Sequence, residues 1–116
     1  MSAVTFTLPF PPSVNGLFAG KSKRYCSSAY KAWRKVAAPF VPGRMIEGPY
    51  TLALVFDRPD RRRRDLSNYL KATEDLLVER GLVVDDSYCE HITLAWSDAP
   101  PQRDSMVRVT VAPAQG

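Results

Sequence analysis

The sequence is poor in the residues that build disulfide frameworks, zinc sites and nucleophilic triads. Its two cysteines, Cys26 and Cys89, are far apart and lack CxxC spacing, and His91 is its only histidine. In a cytoplasmic chain this predicts free thiols, because disulfides are rare there and zinc sites use closely spaced ligands. His91 alternates with Thr93, which indicates an ordinary strand position. The scarcity excludes a convincing Ser/His/Asp or Cys/His catalytic apparatus.

Long apolar runs are also missing. No run approaches the roughly 20 residues that cross a bilayer, and the N-terminus has no signal-peptide core. We therefore expect a cytoplasmic protein with no membrane partner and no small-molecule cofactor. No repeat, low-complexity tract or linker interrupts the 116 residues, which predicts a single domain over residues 1–116.

Positive charge is what the sequence has in excess. The formal net charge of +4 and a pI of about 9.3 favour an anionic partner. The basic residues form three groups, namely Lys21, Lys23 and Arg24; Lys31, Arg34 and Lys35; and Arg58 with Arg61, Arg62, Arg63 and Arg64. Each arginine that neutralises a phosphate releases a counterion, so binding through these groups would be strongly salt-dependent. Solubilising charge on a small domain is the alternative interpretation.

A helix is predicted directly after the arginine run. Asp65 occupies its N-cap position, where a carboxylate can accept hydrogen bonds from free backbone N–H groups, and Gly81 suits the left-handed residue after its end. Three-to-four spacing predicts a buried face of Leu66, Tyr69, Leu70, Thr73, Leu76 and Leu77. The opposite face carries Ser67, Asn68, Lys71, Glu74 and Asp75. It combines a lysine with two carboxylates; the alternative is a solvated face with ordinary i to i+4 pairs. Within a site, Asp75 is either a metal ligand or an acid that orients Lys71, one helical turn back.

Two adjacent aspartates, Asp85 and Asp86, follow this helix. We interpret the apolar run before them, residues 82–84, as a strand that returns carboxylates to the start of the helix. Strand side chains alternate between faces, so periodicity does not choose between the two aspartates. Carboxylate-bound Mg²⁺ can polarise a phosphodiester and activate water. With Asp65 and Lys71, the pair predicts a metal-dependent phosphodiesterase site beside a nucleic-acid-binding surface.

The remaining pattern predicts an α+β fold, with a mixed sheet of about four to five strands packed against two main helices. Besides the run 82–84, strands are predicted at Val4–Leu8, Tyr50–Phe56, Ile92–Trp96 and Met106–Val111. A first helix is predicted at Ala29–Phe40, capped by Ser27 or Ser28, with a core stripe that ends at Phe40. We expect a mobile loop at Gly16–Tyr25 that approaches a phosphate backbone and offers Phe18 or Tyr25 for stacking, unless Phe18 anchors the loop on the core.

Several motifs together resemble the RusA family of Holliday junction resolvases. They are RRRRDLSN, Lys71, Asp75 and VVDDS, and TLPFPPSVN, which is similar to the family's strand followed by PPSxN. The resemblance implies a Mg²⁺-dependent endodeoxyribonuclease that cuts four-way or other branched DNA. By position it implies catalytic roles for Asp65, Lys71 and Asp86, and it favours Asp86 over Asp85 as a metal ligand. The expected DNA contacts are Arg61, Arg62, Arg63, Arg64, Asn15, Lys21, Lys23, Arg24 and Asn68.

One family position differs in this sequence. The motif usually reads DLDN, and its second aspartate is Ser67 here, a neutral residue that cannot supply the same charge to a metal. Glu74 lies further along the same face and its side chain leans toward the helix start, so it offers a replacement. The candidate metal ligands are therefore Asp65, Asp86, Glu74, Asp75 and Asp85. The alternatives are a catalytically impaired junction-binding protein of prophage origin and an RNA-binding or general basic domain.

Symmetry predicts the assembly. A four-way junction has approximate two-fold symmetry and its resolution takes two symmetric nicks, which a C2 homodimer with one site per subunit would supply. The resemblance implies the same. The candidate dimer surface includes the first strand and the residues Met45 to Tyr50.

Overall fold

The computed structural model describes residues 3–19 and 25–114, and for residues 18, 19, 25 and 26 it describes the backbone alone. Strands β2 (Phe18–Ala19) and β3 (Tyr25–Cys26) pair antiparallel. Part of the predicted loop is therefore a short hairpin. The stacking roles predicted for Phe18 and Tyr25, and the DNA contacts predicted for Lys21, Lys23 and Arg24, fall outside what the structure describes.

The main sheet has four strands, namely β1 (Val4–Pro9), β4 (Tyr50–Phe56), β5 (Cys89–Trp96) and β6 (Met106–Pro113). Their order across the sheet is β1, β6, β4, β5. β6 pairs antiparallel with both β1 and β4, while β4 and β5 are parallel. The mixed sheet and α+β class predicted from the sequence are confirmed. The chain between the parallel strands must cross over, and this crossover contains every candidate catalytic residue.

Residues 82–84 do not form the predicted strand. Their only ladder contact among the described residues is an isolated bridge between Ile46 and Val83. The apolar side chains of Leu82 and Val83 are fully buried, so packing rather than sheet pairing explains the apolar run. The sheet therefore has four strands and not five.

The first helix, α1 (Ser28–Ala37), begins where Ser27 accepts a hydrogen bond from the Tyr30 N–H. It ends earlier than predicted, in a 3-10 turn at Ala38–Phe40. Pro39 has no N–H to continue the α-helical ladder, which explains the change. Phe40 is consequently 47% exposed. The sequence had predicted that it ends the core stripe, and this prediction is wrong.

The second helix, α2 (Leu70–Glu79), follows a 3-10 turn at Leu66–Tyr69. Asp65 stands at the start of that turn, but its carboxylate makes no capping bond, and its backbone carbonyl accepts from Asn68 instead. The predicted side-chain cap is therefore wrong. Gly81 takes the predicted left-handed conformation, with φ of +76°.

One core joins a single face of the sheet to both helices. The buried residues include Leu52, Leu54 and Phe56 of β4, Val107, Val109 and Val111 of β6, Tyr30, Trp33 and Ala37 of α1, and Ala72, Leu76 and Leu77 of α2. The indole N–H of Trp33 donates to the Pro9 carbonyl at 3.0 Å, which ties α1 to the end of β1. Cys89 is a free thiol, as predicted. No helix in the described ranges is long and apolar enough to cross a membrane.

Candidate active site

Lys71 and Asp75 form an ion pair on the exposed face of α2. The Lys71 Nζ lies 3.3 Å from Asp75 Oδ1, one helical turn away. On its other oxygen, Asp75 accepts a long hydrogen bond of 3.5 Å from the buried Tyr30 hydroxyl of α1. Asp75 thus contacts side chains of both helices. The ion pair is compatible with the role of orienting Lys71, which stays a prediction.

Glu74 is the half-buried acid of the same helix. Burial first, and then the carboxylates of Asp86 and Asp75, raise the pKa of Glu74 above its ordinary value, and the nearby Lys71 offsets only part of this. The three carboxylates therefore act on one another electrostatically. Their mutual repulsion is the kind that a divalent cation relieves, and oxygen donors are those that Mg²⁺ prefers.

Asp85 and Asp86 do not alternate across a strand. Asp85 caps a 3-10 turn at Asp86–Tyr88, where its carboxylate accepts from the Ser87 N–H at 3.0 Å and from the Ser87 hydroxyl. These two bonds lower the pKa of Asp85. A capping carboxylate competes with strand pairing for the local backbone, which explains the turn. Asp86 is left to act on Glu74, so the turn separates the roles of the two aspartates.

A concavity lies between α1, α2 and the aspartate turn. It is lined by Tyr30, Arg34, Asp75, Val78, Glu79, Asp85 and Asp86. Arg34 pairs with Glu79 and lies over the Tyr30 ring, 5.3 Å from its centre. Tyr30 and Arg34 were not among the predicted site residues. Helical periodicity had assigned them to the core and to a basic face, and no sequence signal placed α1 beside the acids.

Asp65 lies in a second concavity, with Arg63, Arg64, Asn68 and Tyr69. Of the acids predicted as metal ligands, Asp75, Asp85 and Asp86 line the first concavity and Asp65 the second, while Glu74 lines neither. Among the residues that the structure describes, no group of three or more His, Cys, Asp or Glu side chains is arranged to hold a metal ion. The convergence of Asp65 and Asp86 on one metal site stays a prediction.

The basic loop, residues 57–64, has an arginine near each end in contact with a cluster of aromatic rings formed by Phe10, Phe56, Tyr69 and Trp96. The Arg58 guanidinium lies over the Trp96 ring, 4.5 Å from its centre. Arg64 donates to the Tyr69 hydroxyl at 3.0 Å. The packed rings therefore fix both ends of the basic loop.

Asn15 lies in a 3-10 turn, Val14–Gly16, that contacts the turn at Leu66–Tyr69. Its backbone N–H donates to the Ser13 hydroxyl at 3.2 Å, and its side chain is exposed. The PPSxN segment and the start of the α2 region are thus neighbours. Asn15 and Asn68 come from different parts of the chain but belong to the same region of the surface.

Comparison with known proteins agrees with this arrangement. A sequence model of the family "Endodeoxyribonuclease RusA" matches residues 9–112. The crossover junction endodeoxyribonuclease rusA of Enterobacteria phage 82 is 34% identical over 92 residues, covering 75% of this chain and 77% of that protein. The protein of the same name from Escherichia coli K12 is 33% identical over 92 residues, covering 75% of this chain and 77% of that protein. The one from Enterobacteria phage HK97 is 31% identical over 97 residues, covering 79% of this chain and 81% of that protein. The resemblance seen in the sequence motifs is confirmed, and the chain belongs to the RusA family of endodeoxyribonucleases.

Proposed function

We propose that this protein is a Mg²⁺-dependent endodeoxyribonuclease that resolves four-way DNA junctions by paired, symmetric phosphodiester cleavage. The observation that carries the proposal is the family match over residues 9–112, which includes the arginine run and the acids of the crossover. Similar proteins are named as crossover junction endodeoxyribonucleases. A cytoplasmic location, where such DNA is met, belongs to the same proposal.

The proposed ligands of the metal are Asp65, Asp86 and Glu74. Glu74 takes the place of the family's second aspartate, whose position is occupied by Ser67 here. The half-buried Glu74 beside Asp86 supports this, because Lys71 offsets only part of their repulsion and a divalent cation would offset more of it. Ser67 is exposed and neutral, so it does not supply to a metal the negative charge of the family's aspartate. When bound, Mg²⁺ supplies Lewis-acid stabilisation and a water of lowered pKa.

The proposed role of Lys71 is electrostatic. Its ammonium group offsets the charge that develops on the scissile phosphate in the transition state. The 3.3 Å contact with Asp75 holds the flexible lysine side chain near the acids before DNA binds, which reduces the entropy lost on reaching the phosphate. Asp75 is therefore a positioning residue in this mechanism.

A C2 homodimer is proposed because one chain carries one site and a junction needs two nicks. Within residues 3–19 and 25–114, β1 is an edge strand of the sheet, and an edge strand can pair with a second copy. Met45 is 49% exposed and offers apolar surface near the start of β4. These two features support the dimer surface expected from the sequence.

Cleavage of an end-labelled four-way junction tests the function. We expect symmetric nicks with Mg²⁺, none in EDTA, and none with Asp86→Asn. Asp98→Asn is the matched control, because Asp98 is an exposed loop acid and the change removes the same charge. Tight junction binding with no cleavage by the unaltered protein would favour the impaired binder instead. Equal affinity for linear duplex and junction would contradict junction recognition.

A further inference from the structure

The four consecutive arginines are not equivalent. The Asp60 carboxylate accepts hydrogen bonds from Arg62 and Arg64. Arg64 binds it in a two-pronged contact, Nε to Oδ1 at 3.1 Å and Nη2 to Oδ2 at 2.6 Å. Arg62 donates its Nε to Oδ2 at 3.2 Å and its backbone N–H to Oδ1 at 3.1 Å. One acid therefore holds the second and fourth arginines of the run.

The first and third arginines differ from the pair held by Asp60. Within the described part of the chain, Arg61 and Arg63 make no ion pair and no side-chain hydrogen bond, and both are exposed. Arg63 also lines the concavity that contains Asp65 and Asn68. Two cations are thus presented to solvent at the edge of the candidate site.

We propose that Asp60 is a positioning residue for DNA binding, which divides the run into a frame of Arg62 and Arg64 and a pair of phosphate contacts, Arg61 and Arg63. This rests on the proposed function and assigns its DNA-binding surface. Arg64 extends the frame inward, since it also donates to the Tyr69 hydroxyl at 3.0 Å within the aromatic cluster. The loop is therefore ordered before DNA arrives, and less entropy is lost on binding.

Charge balance supports the division. Four adjacent arginines repel one another, and an acid that pairs with two of them keeps the loop in one conformation. The guanidinium of Arg64 first, and then the Arg62 contacts, hold the pKa of the Asp60 carboxyl far below its usual range. Asp60 therefore stays ionised at neutral pH.

The direction in which Asp60→Asn changes the affinity for DNA distinguishes this role from a simple charge effect. If Asp60 were only an acid near DNA, Asp60→Asn would remove a repulsive charge and tighten binding. If Asp60 positions the arginines, Asp60→Asn weakens binding although the protein becomes more positive. Asp104→Asn is the matched control, since Asp104 is exposed and its loop contacts the basic loop through a bond from the Gln102 N–H to the Arg58 carbonyl at 3.0 Å.

The experiment is equilibrium binding of the intact protein to a fluorescent four-way junction in EDTA, between about 50 and 200 mM salt. We expect Asp60→Asn to bind several-fold more weakly than the unaltered protein, Asp60→Glu to restore most of the loss, and Asp104→Asn to bind equally or more tightly. Tighter binding by Asp60→Asn, matching Asp104→Asn, would overturn the proposal.

The surface arginines keep the test decisive if Asp60→Asn does not fold. Arg61→Gln and Arg63→Gln should each reduce the slope of log K against log salt by about 0.9, the value for one lost phosphate contact. Arg62→Gln should change the slope by less than half of that. Equal slope changes in all three variants would overturn the division. Binding that follows this pattern without Mg²⁺-dependent cleavage would contradict the proposed nuclease and leave the division of the arginines intact.

Discussion

The contact between Arg64 and Tyr69 leads to a prediction about stability that is independent of DNA. Tyr69 is 4% exposed, and its ring packs against Phe10 with 4.8 Å between ring centres. Tyr69→Phe keeps this packing and removes only the hydroxyl that accepts from Arg64 at 3.0 Å. A hydrogen bond to a charged group contributes about 1.5–3 kcal/mol, and we expect the lower value because Arg64 keeps its bonds to Asp60.

The corresponding change in melting temperature follows from chain length. An unfolding entropy of about 2.1 cal/mol/K per residue gives about 0.24 kcal/mol/K for 116 residues, so 1.5 kcal/mol lowers Tm by about 6 °C. The assay is thermal and urea unfolding of Tyr69→Phe beside Tyr88→Phe. Tyr88 is 43% exposed, and its substitution should stay within about 0.5 kcal/mol of the unaltered protein.

A double-mutant cycle isolates the contact itself. In an Arg64→Gln background, Tyr69→Phe should cost less than about 0.5 kcal/mol, which gives a coupling energy near 1 kcal/mol. A coupling of zero, with Tyr69→Phe as stable as Tyr88→Phe, would refute the reasoning. Arg64 would then not be held by the aromatic cluster, and the inward extension of the frame of the basic loop would fail.

Three further predictions concern the acids and the end of α2. Because its folded pKa is raised, ionised Glu74 destabilises the metal-free protein at neutral pH. Glu74→Gln should therefore unfold at a higher urea concentration at pH 7, and this gain in stability should disappear below pH 4.5, the pKa of an unperturbed glutamate. A gain in stability that does not depend on pH would contradict this. Ser67→Asp should strengthen stabilisation by Mg²⁺, where tenfold tighter binding adds about 1.4 kcal/mol in calorimetry, and an unchanged response would exclude Ser67 from the metal site. Gly81→Ala should lower the free energy of unfolding in urea by about 1 kcal/mol. The loss comes from its φ of +76° alone, because an added Cβ would have open space. Unchanged stability would contradict the left-handed conformation of residue 81.

Periodicity predicted most of the fold and failed where local hydrogen bonding competes with it. Alternation identified β4 at its observed bounds, Tyr50–Phe56. The apolar run at 82–84 was misassigned, since a short apolar run fits a buried strand and a packed turn equally well; Leu82 and Val83 are buried, but Val84 is 45% exposed. The start of α2 was misassigned because a 3-10 turn and an α-helical turn bury nearly the same side chains.

Part of the candidate site could be predicted from the sequence, and part could not. Helical spacing placed Lys71, Glu74 and Asp75 on one face, and the ion pair between Lys71 and Asp75 shows that the spacing was informative. Contacts between secondary-structure elements could not be predicted from a single sequence. The Tyr30 hydroxyl bound to Asp75 depends on the packing of α1 against α2, which no local pattern encodes. The bonds of Asp60 depend on a loop conformation, and loops have no periodicity.

Paired cleavage of a cruciform plasmid measures junction resolution itself. A supercoiled plasmid with an extruded inverted repeat carries one four-way junction, and two nicks across it within one binding event produce linear DNA. We predict linear product with Mg²⁺, at a rate abolished by Asp86→Asn and unaffected by Asp98→Asn. Persistence of the supercoiled plasmid with Mg²⁺, while the unaltered protein remains bound to the junction, would contradict junction resolution by this protein.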